Sequence, residues 1–192
     1  MKRACLPLLR PVAAALAAAV LAGCPSPVED DLIASLGPEA SGVPEGEFHR
    51  YGQPCLACHS GYLGEEPMVV GGTVFATPID DVPVEGARVE LTDATGSQIV
   101  KTTNCAGNFY VEEGEWEPVF PLRAVVECTL PDGRVRRNVM GTRINRDGSC
   151  AGCHANEAPS QLGPGRVFCT DEVLEMPFTL PASCPGGPGA SQ

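Results

Sequence analysis

The sequence predicts a mainly β protein, in which a small β-sandwich is flanked by irregular segments with only short helices. The 22 glycines and 19 prolines among 192 residues are too many for a helical bundle, and they follow no collagen period. Between residues 71 and 139, short stretches alternate apolar and polar side chains and are separated by turn signals. Such alternation is typical of half-buried strands, and short strands at regular spacing favour a sandwich.

Six strands follow from this alternation. In the second strand, the apolar Ala87, Val89 and Leu91 are expected to point one way and the polar Arg88, Glu90 and Thr92 the other, because residues two apart share one face of a strand. The only tryptophan, Trp116, is expected to pack against the sandwich. The predicted strands cover residues 73–76, 87–92, 98–103, 108–111, 122–129 and 134–139.

Five pieces of this region match a known kind of domain. They are GTV at 72–74, PVEGARVEL at 83–91, DATG at 93–96, TT at 102–103 and GNF at 107–109. Together they resemble the carboxypeptidase regulatory-like (prealbumin-like) domain over residues 69–130. The resemblance implies an Ig-like sandwich, assigned here to residues 68–139, that acts as a spacer or a binding module and carries no catalysis.

The first 23 residues are expected to be an export signal. Three basic residues accompany an uncharged apolar run at 12–22, which is too short to span a bilayer comfortably. The run ends in LAGC at 21–24, which resembles the lipobox of bacterial lipoproteins. That resemblance implies cleavage before Cys24 and a lipid on its thiol. The alternative is an ordinary signal peptide in which Cys24 is incidental.

Residues 24–47 are rich in proline, glycine, serine and acidic side chains, and they are expected to form a flexible tether. The formal net charge of −11 argues against a nucleic-acid-binding protein, which needs a basic surface. Membrane attachment would therefore depend on the lipid rather than on a basic face. By resemblance to lipoproteins, Pro25 after the cysteine implies sorting to the outer membrane, with the inner membrane as the alternative.

Two pentapeptides share the pattern Cys-x-x-Cys-His: CLACH at 55–59 and CAGCH at 150–154. Two thiols three positions apart on a helical turn can form thioethers to one edge of a haem, and the histidine that follows can bind its iron. The pattern resembles the attachment motif of c-type cytochromes. It implies two covalently attached haem c groups, with thioethers at Cys55, Cys58, Cys150 and Cys153.

The haem-binding segments are expected at residues 48–67 and 140–184, with a flexible tail at 185–192. We expect the two segments to meet at one end of the sandwich. A four-cysteine zinc site and a thioredoxin-like redox pair are the competing interpretations. A zinc site has no use for a histidine directly after each cysteine pair, and neither motif has the strand-to-helix context of thioredoxin.

His59 and His154 are the expected proximal ligands of the two irons. The chain has three histidines, so at most one haem can take two of them within one chain. The third, His49, is the expected distal ligand of the first haem or, across the molecule, of the second; the alternative is a surface histidine. The other haem would take a methionine, another weak ligand or none. The methionine candidates are Met176, then Met140, with Met68 also available.

Four further cysteines are expected to form two disulfides after export to an oxidising compartment. They are Cys105, Cys128, Cys169 and Cys184. Three pairings are possible. We favour Cys105 with Cys128 and Cys169 with Cys184, because each pair encloses a compact stretch of chain.

These features predict a lipid-anchored dihaem c-type cytochrome that transfers electrons in the periplasm or at the surface of a Gram-negative-type bacterium and is not an enzyme. Its acidic surface suits a basic redox partner protein, such as another cytochrome or a respiratory complex. One alternative is a haem enzyme or gas sensor with an open axial site, resembling a peroxidase. The other is a surface binding module in which the sandwich binds a partner.

Overall fold

The computed structural model describes residues 27–39, 46–60, 66–154, 164–179 and 184. The chain divides into two compact units between Ser35 and Leu36. Within the first unit, the described residues form the helix α1, Pro27–Ser35, which lies inside the expected tether. The export signal, Cys24 and the tail at 185–192 lie outside the described residues. None of the helices in the described ranges is long and apolar enough to cross a membrane.

The second unit is built on two β-sheets. One sheet has the strand order β4-β1-β7, and the other has the order β3-β2-β5-β6. Neighbouring strands are antiparallel except for β1 and β7, which are parallel. The strands are β1 Met68–Phe75, β2 Arg88–Thr92, β3 Gln98–Thr102, β4 Asn108–Glu112, β5 Arg123–Thr129, β6 Val135–Val139 and β7 Val167–Phe168. The helical elements are α2 Leu56–His59 and a 3₁₀ turn at Cys150–Gly152.

The apolar core lies between the two sheets. Ala87, Val89 and Leu91 are at most 1% exposed, as expected from their alternation, whereas Arg88 between them is exposed. They pack with Phe109 of β4 and Val74 of β1 in one cluster of buried side chains. The expected fold class, a mainly β, sandwich-like protein, is confirmed.

Trp116 belongs to the same cluster, as expected. It is 9% exposed, and its indole Nε1 donates a hydrogen bond to Ser97 Oγ at 3.0 Å. An indole N–H that is largely removed from water needs such an acceptor. Trp116 therefore closes one side of the core.

The favoured disulfide pairing is wrong. The structure joins Cys105 to Cys184 and Cys128 to Cys169, with Cα–Cα distances of 5.4 Å and 5.7 Å. Cys128 lies on β5 of one sheet, and Cys169 directly follows β7 of the other, so their bond links the two sheets. The prediction relied on closeness in sequence. In the structure, β7 pairs with β1 and brings Cys169 next to Cys128 of β5, so Cys169 does not pair with Cys184.

The strand β1 organises both flanking segments. One of its edges pairs with β4 over five registered positions. It also pairs with β7 at Val74 and Phe75, and Gly71 forms a parallel bridge with Ser149. The second flanking segment is thus fastened to β1 on both sides of the CAGCH motif.

Candidate functional site

The CLACH motif is carried on the short helix α2, which begins right after Cys55. The turn before it is fixed by a buried contact, in which the Gly52 N–H donates to Thr73 Oγ1 at 2.6 Å. Thr73 Oγ1 in turn donates to Asn108 Oδ1 at 2.7 Å. Because Thr73 lies on β1 and Asn108 on β4, the three-stranded sheet sets the position of the first motif.

Asn108 also holds the chain that carries His49. Its Nδ2 donates to the carbonyl oxygens of Glu47 and His49, at 3.2 Å and 3.1 Å. Asn104 Nδ2 adds a hydrogen bond to the Glu47 carbonyl at 2.7 Å. His49 is thereby placed beside the motif by side chains that lie about sixty positions further along the chain.

The two motifs lie against adjacent glycines of β1. A Cβ on Gly71 would be 3.0 Å from Cys55 Cβ and 3.2 Å from its Sγ. A Cβ on Gly72 would be 2.7 Å from Cys150 Cβ and 2.8 Å from its Sγ. Neighbouring residues of a strand face opposite sides of the sheet, so the motifs approach β1 from its two faces. The structure thus places one cysteine of each motif against adjacent positions of β1, and the expectation that the flanks meet at one end of the sandwich stays a prediction.

The CAGCH motif begins with a single 3₁₀ turn, Cys150–Gly152, directly after Ser149, which bridges to Gly71 of β1. The Gly71 N–H donates to the Gly148 carbonyl at 3.1 Å, and Asp147 Oδ1 accepts from the Ser149 N–H at 2.8 Å. A side chain at 148 would clash with the Val69 carbonyl oxygen, so glycine lets this segment approach the strand closely.

The two motif histidines are held in the same way. His59 Nδ1 lies 3.0 Å from the Glu66 carbonyl oxygen, and His154 Nδ1 lies 2.9 Å from the Gly165 carbonyl oxygen. A carbonyl oxygen only accepts, so each Nδ1 carries the proton and each Nε2 keeps its lone pair. A histidine that binds a metal through Nε2 commonly has its Nδ1–H held in this manner.

His49 lies opposite His59. The ring centroids are 5.7 Å apart, and the ring planes differ by 18°. His49 Nδ1 accepts a hydrogen bond from the Gly46 N–H at 3.1 Å, so the proton of the neutral ring is on Nε2. Iron binding through His49 Nε2 therefore requires the proton to move to Nδ1 and this hydrogen bond to break, because a backbone N–H cannot accept one.

A cavity adjoins each motif. The first, of about 480 Å³, has Cys55, Cys58, His59 and His49 in its wall. The second, of about 880 Å³, has Cys150, Cys153 and His154 in its wall and opens between the sheets beside Phe109. Phe109 also lines the first cavity, so the two cavities share this buried residue in their walls.

The two cavities differ in the charge of their walls. In the described part of the first cavity's wall, three glutamates, Glu39, Glu47 and Glu66, lie together with a single arginine, Arg50. Among the described residues, four arginines line the second cavity together with a single acid, Asp147. Those arginines are Arg137, Arg143, Arg146 and Arg166.

The positions of the methionines do not follow the expected order of candidate iron ligands, in which Met176 came before Met140. Met140 lines the second cavity and Met68 lines the first. Met176 is 54% exposed and lines neither of these cavities. The structure therefore places Met140, rather than Met176, in the wall of the cavity that adjoins the CAGCH motif.

The four motif cysteines are free in the structure. Burial raises the pKa of the Cys55 thiol to about 11. Burial, with a smaller contribution from the Cys55 thiol, raises the pKa of Cys150 to about 12. Burial therefore favours the neutral thiol at both of these positions. Across the part of the chain that the structure describes, no three or more His, Cys, Asp or Glu side chains are grouped to hold a metal ion.

These residues fit covalently bound haem. Each motif offers two free thiols, a histidine with its Nε2 lone pair available, and an adjoining cavity. Sequence reasoning missed Asn108 and Arg166, for which no local signal exists. The Gly71-Gly72 pair within a strand was an available signal, since glycine there often marks a close approach of other groups.

No family model, curated protein or solved structure matches this chain.

Proposed function

We propose that this protein is a dihaem c-type cytochrome that transfers electrons and catalyses no bond chemistry of its own. One haem c is attached to Cys55 and Cys58, and the other to Cys150 and Cys153. The observation that carries the proposal is the pair of matched histidines. Both His59 and His154 have Nδ1–H fixed on a backbone carbonyl and stand beside a cavity and two free thiols.

When bound, each haem supplies one-electron redox chemistry at its iron. His59 and His154 bind the irons on the proximal side, and their carbonyl partners hold the imidazoles in orientation. His49 is the distal ligand of the first haem, supported by its position opposite His59. Met140 is the distal candidate for the second haem, because it lines that cavity and Met176 does not.

A haem enzyme or gas sensor is the second candidate function. His154 is the only histidine in the wall of the second cavity, which is also the larger of the two. If Met140 does not bind, the sixth position of that iron is open to a small ligand such as peroxide. In that case the visible spectrum of the purified protein shows a high-spin component that changes when carbon monoxide is added.

The setting of the protein is proposed from the sequence. Cys24 receives the lipid that attaches the protein to the outer or the inner membrane, and the body faces the periplasm or the cell surface. The formal net charge of −11 favours a basic redox partner protein, through electrostatic steering rather than tight burial. A third candidate role, in which the carboxypeptidase regulatory-like sandwich binds a partner, predicts that deleting the sandwich abolishes binding.

Counting haem in paired variants tests the proposal. The protein is expressed together with the c-type maturation machinery, and the pyridine haemochrome is measured per chain. We expect two haems in the natural protein, one in Cys55→Ala/Cys58→Ala, one in Cys150→Ala/Cys153→Ala, and none in the fourfold variant. A colourless natural protein, or a fourfold variant with the natural haem content, contradicts the proposal.

A further inference from the structure

We propose that the second cavity is a carboxylate-binding site, and that Arg166 is the residue that binds the propionates of the haem attached at Cys150 and Cys153. This inference rests on the proposed function and adds to it a positioning residue outside the motif. It assigns a role to a buried cation that the haem attachment itself does not use.

The wall of the second cavity has the opposite charge to the protein as a whole. Counting only residues that the structure describes, four of the chain's eleven arginines line it, against one aspartate, in a chain with a formal net charge of −11. Asp147 is engaged within its own turn, where its Oδ1 accepts from the Ser149 N–H. Arg166 and Arg137 have acidic partners outside this wall, Asp81 and Glu90, whereas Arg143 and Arg146 form no ion pair within the described part of the chain.

Arg166 is the buried member of this group. The residue is 9% exposed, whereas Arg137, Arg143 and Arg146 are exposed. Its Nη1 donates to the Ile79 carbonyl at 3.3 Å, and its Nη2 pairs with Asp81 at 3.2 Å. Its guanidinium carbon lies 4.6 Å from the centroid of the Phe75 ring. These contacts fix the guanidinium at the cavity wall.

One donor of this guanidinium has no acceptor. Arg166 Nε is buried and makes no hydrogen bond with the described part of the protein. Buried donors are rarely left unpaired, and an arginine offers its N–H groups in a fixed fork that matches a carboxylate. A carboxylate in the cavity would provide the missing acceptor.

The chain couples Arg166 to the proximal histidine. Gly165, the preceding residue, provides the carbonyl that holds His154 Nδ1. The following residue, Val167, begins β7 and pairs with Val74 of β1. A short stretch anchored to the sheet thus presents both the histidine's acceptor and the arginine to the same cavity.

Charge at this position has a measurable consequence. A fixed positive charge near a haem favours the reduced iron, because the ferrous state carries one positive charge less. Removing the charge of Arg166 is therefore expected to lower the reduction potential of the second haem and to leave that of the first haem nearly unchanged.

The test compares Arg166→Gln with Arg123→Gln. Arg123 is exposed and lines neither cavity, and its replacement by glutamine removes the same charge. Haem content by intact mass is measured first, then the two potentials by spectroscopic redox titration. We expect two haems in both variants, a lowered potential for one haem in Arg166→Gln, and both potentials at the natural values in Arg123→Gln. Equal shifts in the two variants, or no shift in either, overturn the inference.

A second pair of variants covers the case in which Arg166→Gln does not fold. Asp81→Asn removes the half-exposed partner of Arg166, and Asp80→Asn removes the neighbouring exposed acid. We expect Asp81→Asn to raise the potential of the same haem and Asp80→Asn to have a much smaller effect; equal effects overturn the inference. A natural protein without haem instead refutes the proposed function itself, so the two failures are distinguishable.

Discussion

Gly71 and Gly72 leave room for one motif cysteine on each face of β1. The closer approach is at Gly72, where a Cβ would lie 2.7 Å from Cys150 Cβ and 3.2 Å from the Phe109 ring. We expect Gly72→Ala to destabilise the protein by about 1–3 kcal/mol, as overpacking typically does, and to reduce haem attachment at Cys150 and Cys153. Urea unfolding and peptide mass mapping measure the two effects.

Gly71→Ala is the matched control for this prediction. Its Cβ would meet Cys55 at 3.0 Å, so the strain is smaller and falls on the other motif. We expect a weaker loss of stability and a reduction of haem at Cys55 and Cys58 only. Full haem content and natural stability in Gly72→Ala would show that the motifs are not packed against these glycines.

Asn108 provides a second test at single residues. Asn108→Asp keeps the oxygen that accepts from Thr73 but loses the donors to the carbonyls of Glu47 and His49. The loss of such buried hydrogen bonds costs about 1–3 kcal/mol. With His49 released, we expect two haems per chain but a larger high-spin fraction than in the natural protein, visible in the absorption spectrum.

Asn104→Asp is the control for Asn108→Asp. It keeps the oxygen that accepts from the backbone N–H groups of Ala106 and Asn108, and loses a donor to Glu47 but none to His49. We expect its spectrum to remain that of the natural protein. Identical spectra for both variants would contradict the role of Asn108 in placing His49.

The elements differ in how much of them the sequence could predict. The strands β2 to β6 agree with the predicted ranges within about one residue, because alternation is a local property. β1 begins at Met68 instead of 73, since two glycines interrupt its pattern. The two-residue strand β7 was not predicted, because it exists only through its pairing with β1.

The candidate site likewise has local features that the sequence predicts and long-range features that it does not. The Cys-x-x-Cys-His spacing is local, and it identified the thiols and histidines that border the two cavities. The acceptors of the histidine protons, the role of Asn108 and the position of Arg166 depend on contacts between distant segments. The disulfide pairing failed for that reason as well, because the partner of Cys128 is set by where β7 lies.

The disulfide between Cys128 and Cys169 is expected to stabilise the packing of two strands. It joins β5 to the end of β7 and closes a loop with a sequence separation of 41. We expect Cys128→Ala/Cys169→Ala to lose about 2–5 kcal/mol of the free energy of unfolding, measured by urea denaturation.

Peptide mapping without reduction checks the pairing itself. We expect linked peptides that join Cys105 to Cys184 and Cys128 to Cys169, in agreement with the structure. Peptides that join Cys105 to Cys128 would contradict the arrangement of β7 and, with it, the anchoring of the second flanking segment.

For the whole molecule, the unlike walls of the two cavities predict unlike haems. The first cavity has acidic walls and two histidines, whereas the second has basic walls and a methionine beside its motif. Negative surroundings and two histidine ligands lower a haem potential, while positive surroundings and methionine raise it. We expect redox titration to resolve two potentials, with the lower one lost in Cys55→Ala/Cys58→Ala. Two equal potentials would contradict this order.

The most direct measurement is fragmentation of the intact, matured protein in a mass spectrometer. If the account is correct, the protein carries the mass of two haem groups, and the fragments place one between residues 55 and 58 and the other between residues 150 and 153. A purified protein whose mass equals that of its processed polypeptide and lipid, with all four of these cysteines unmodified, would contradict it.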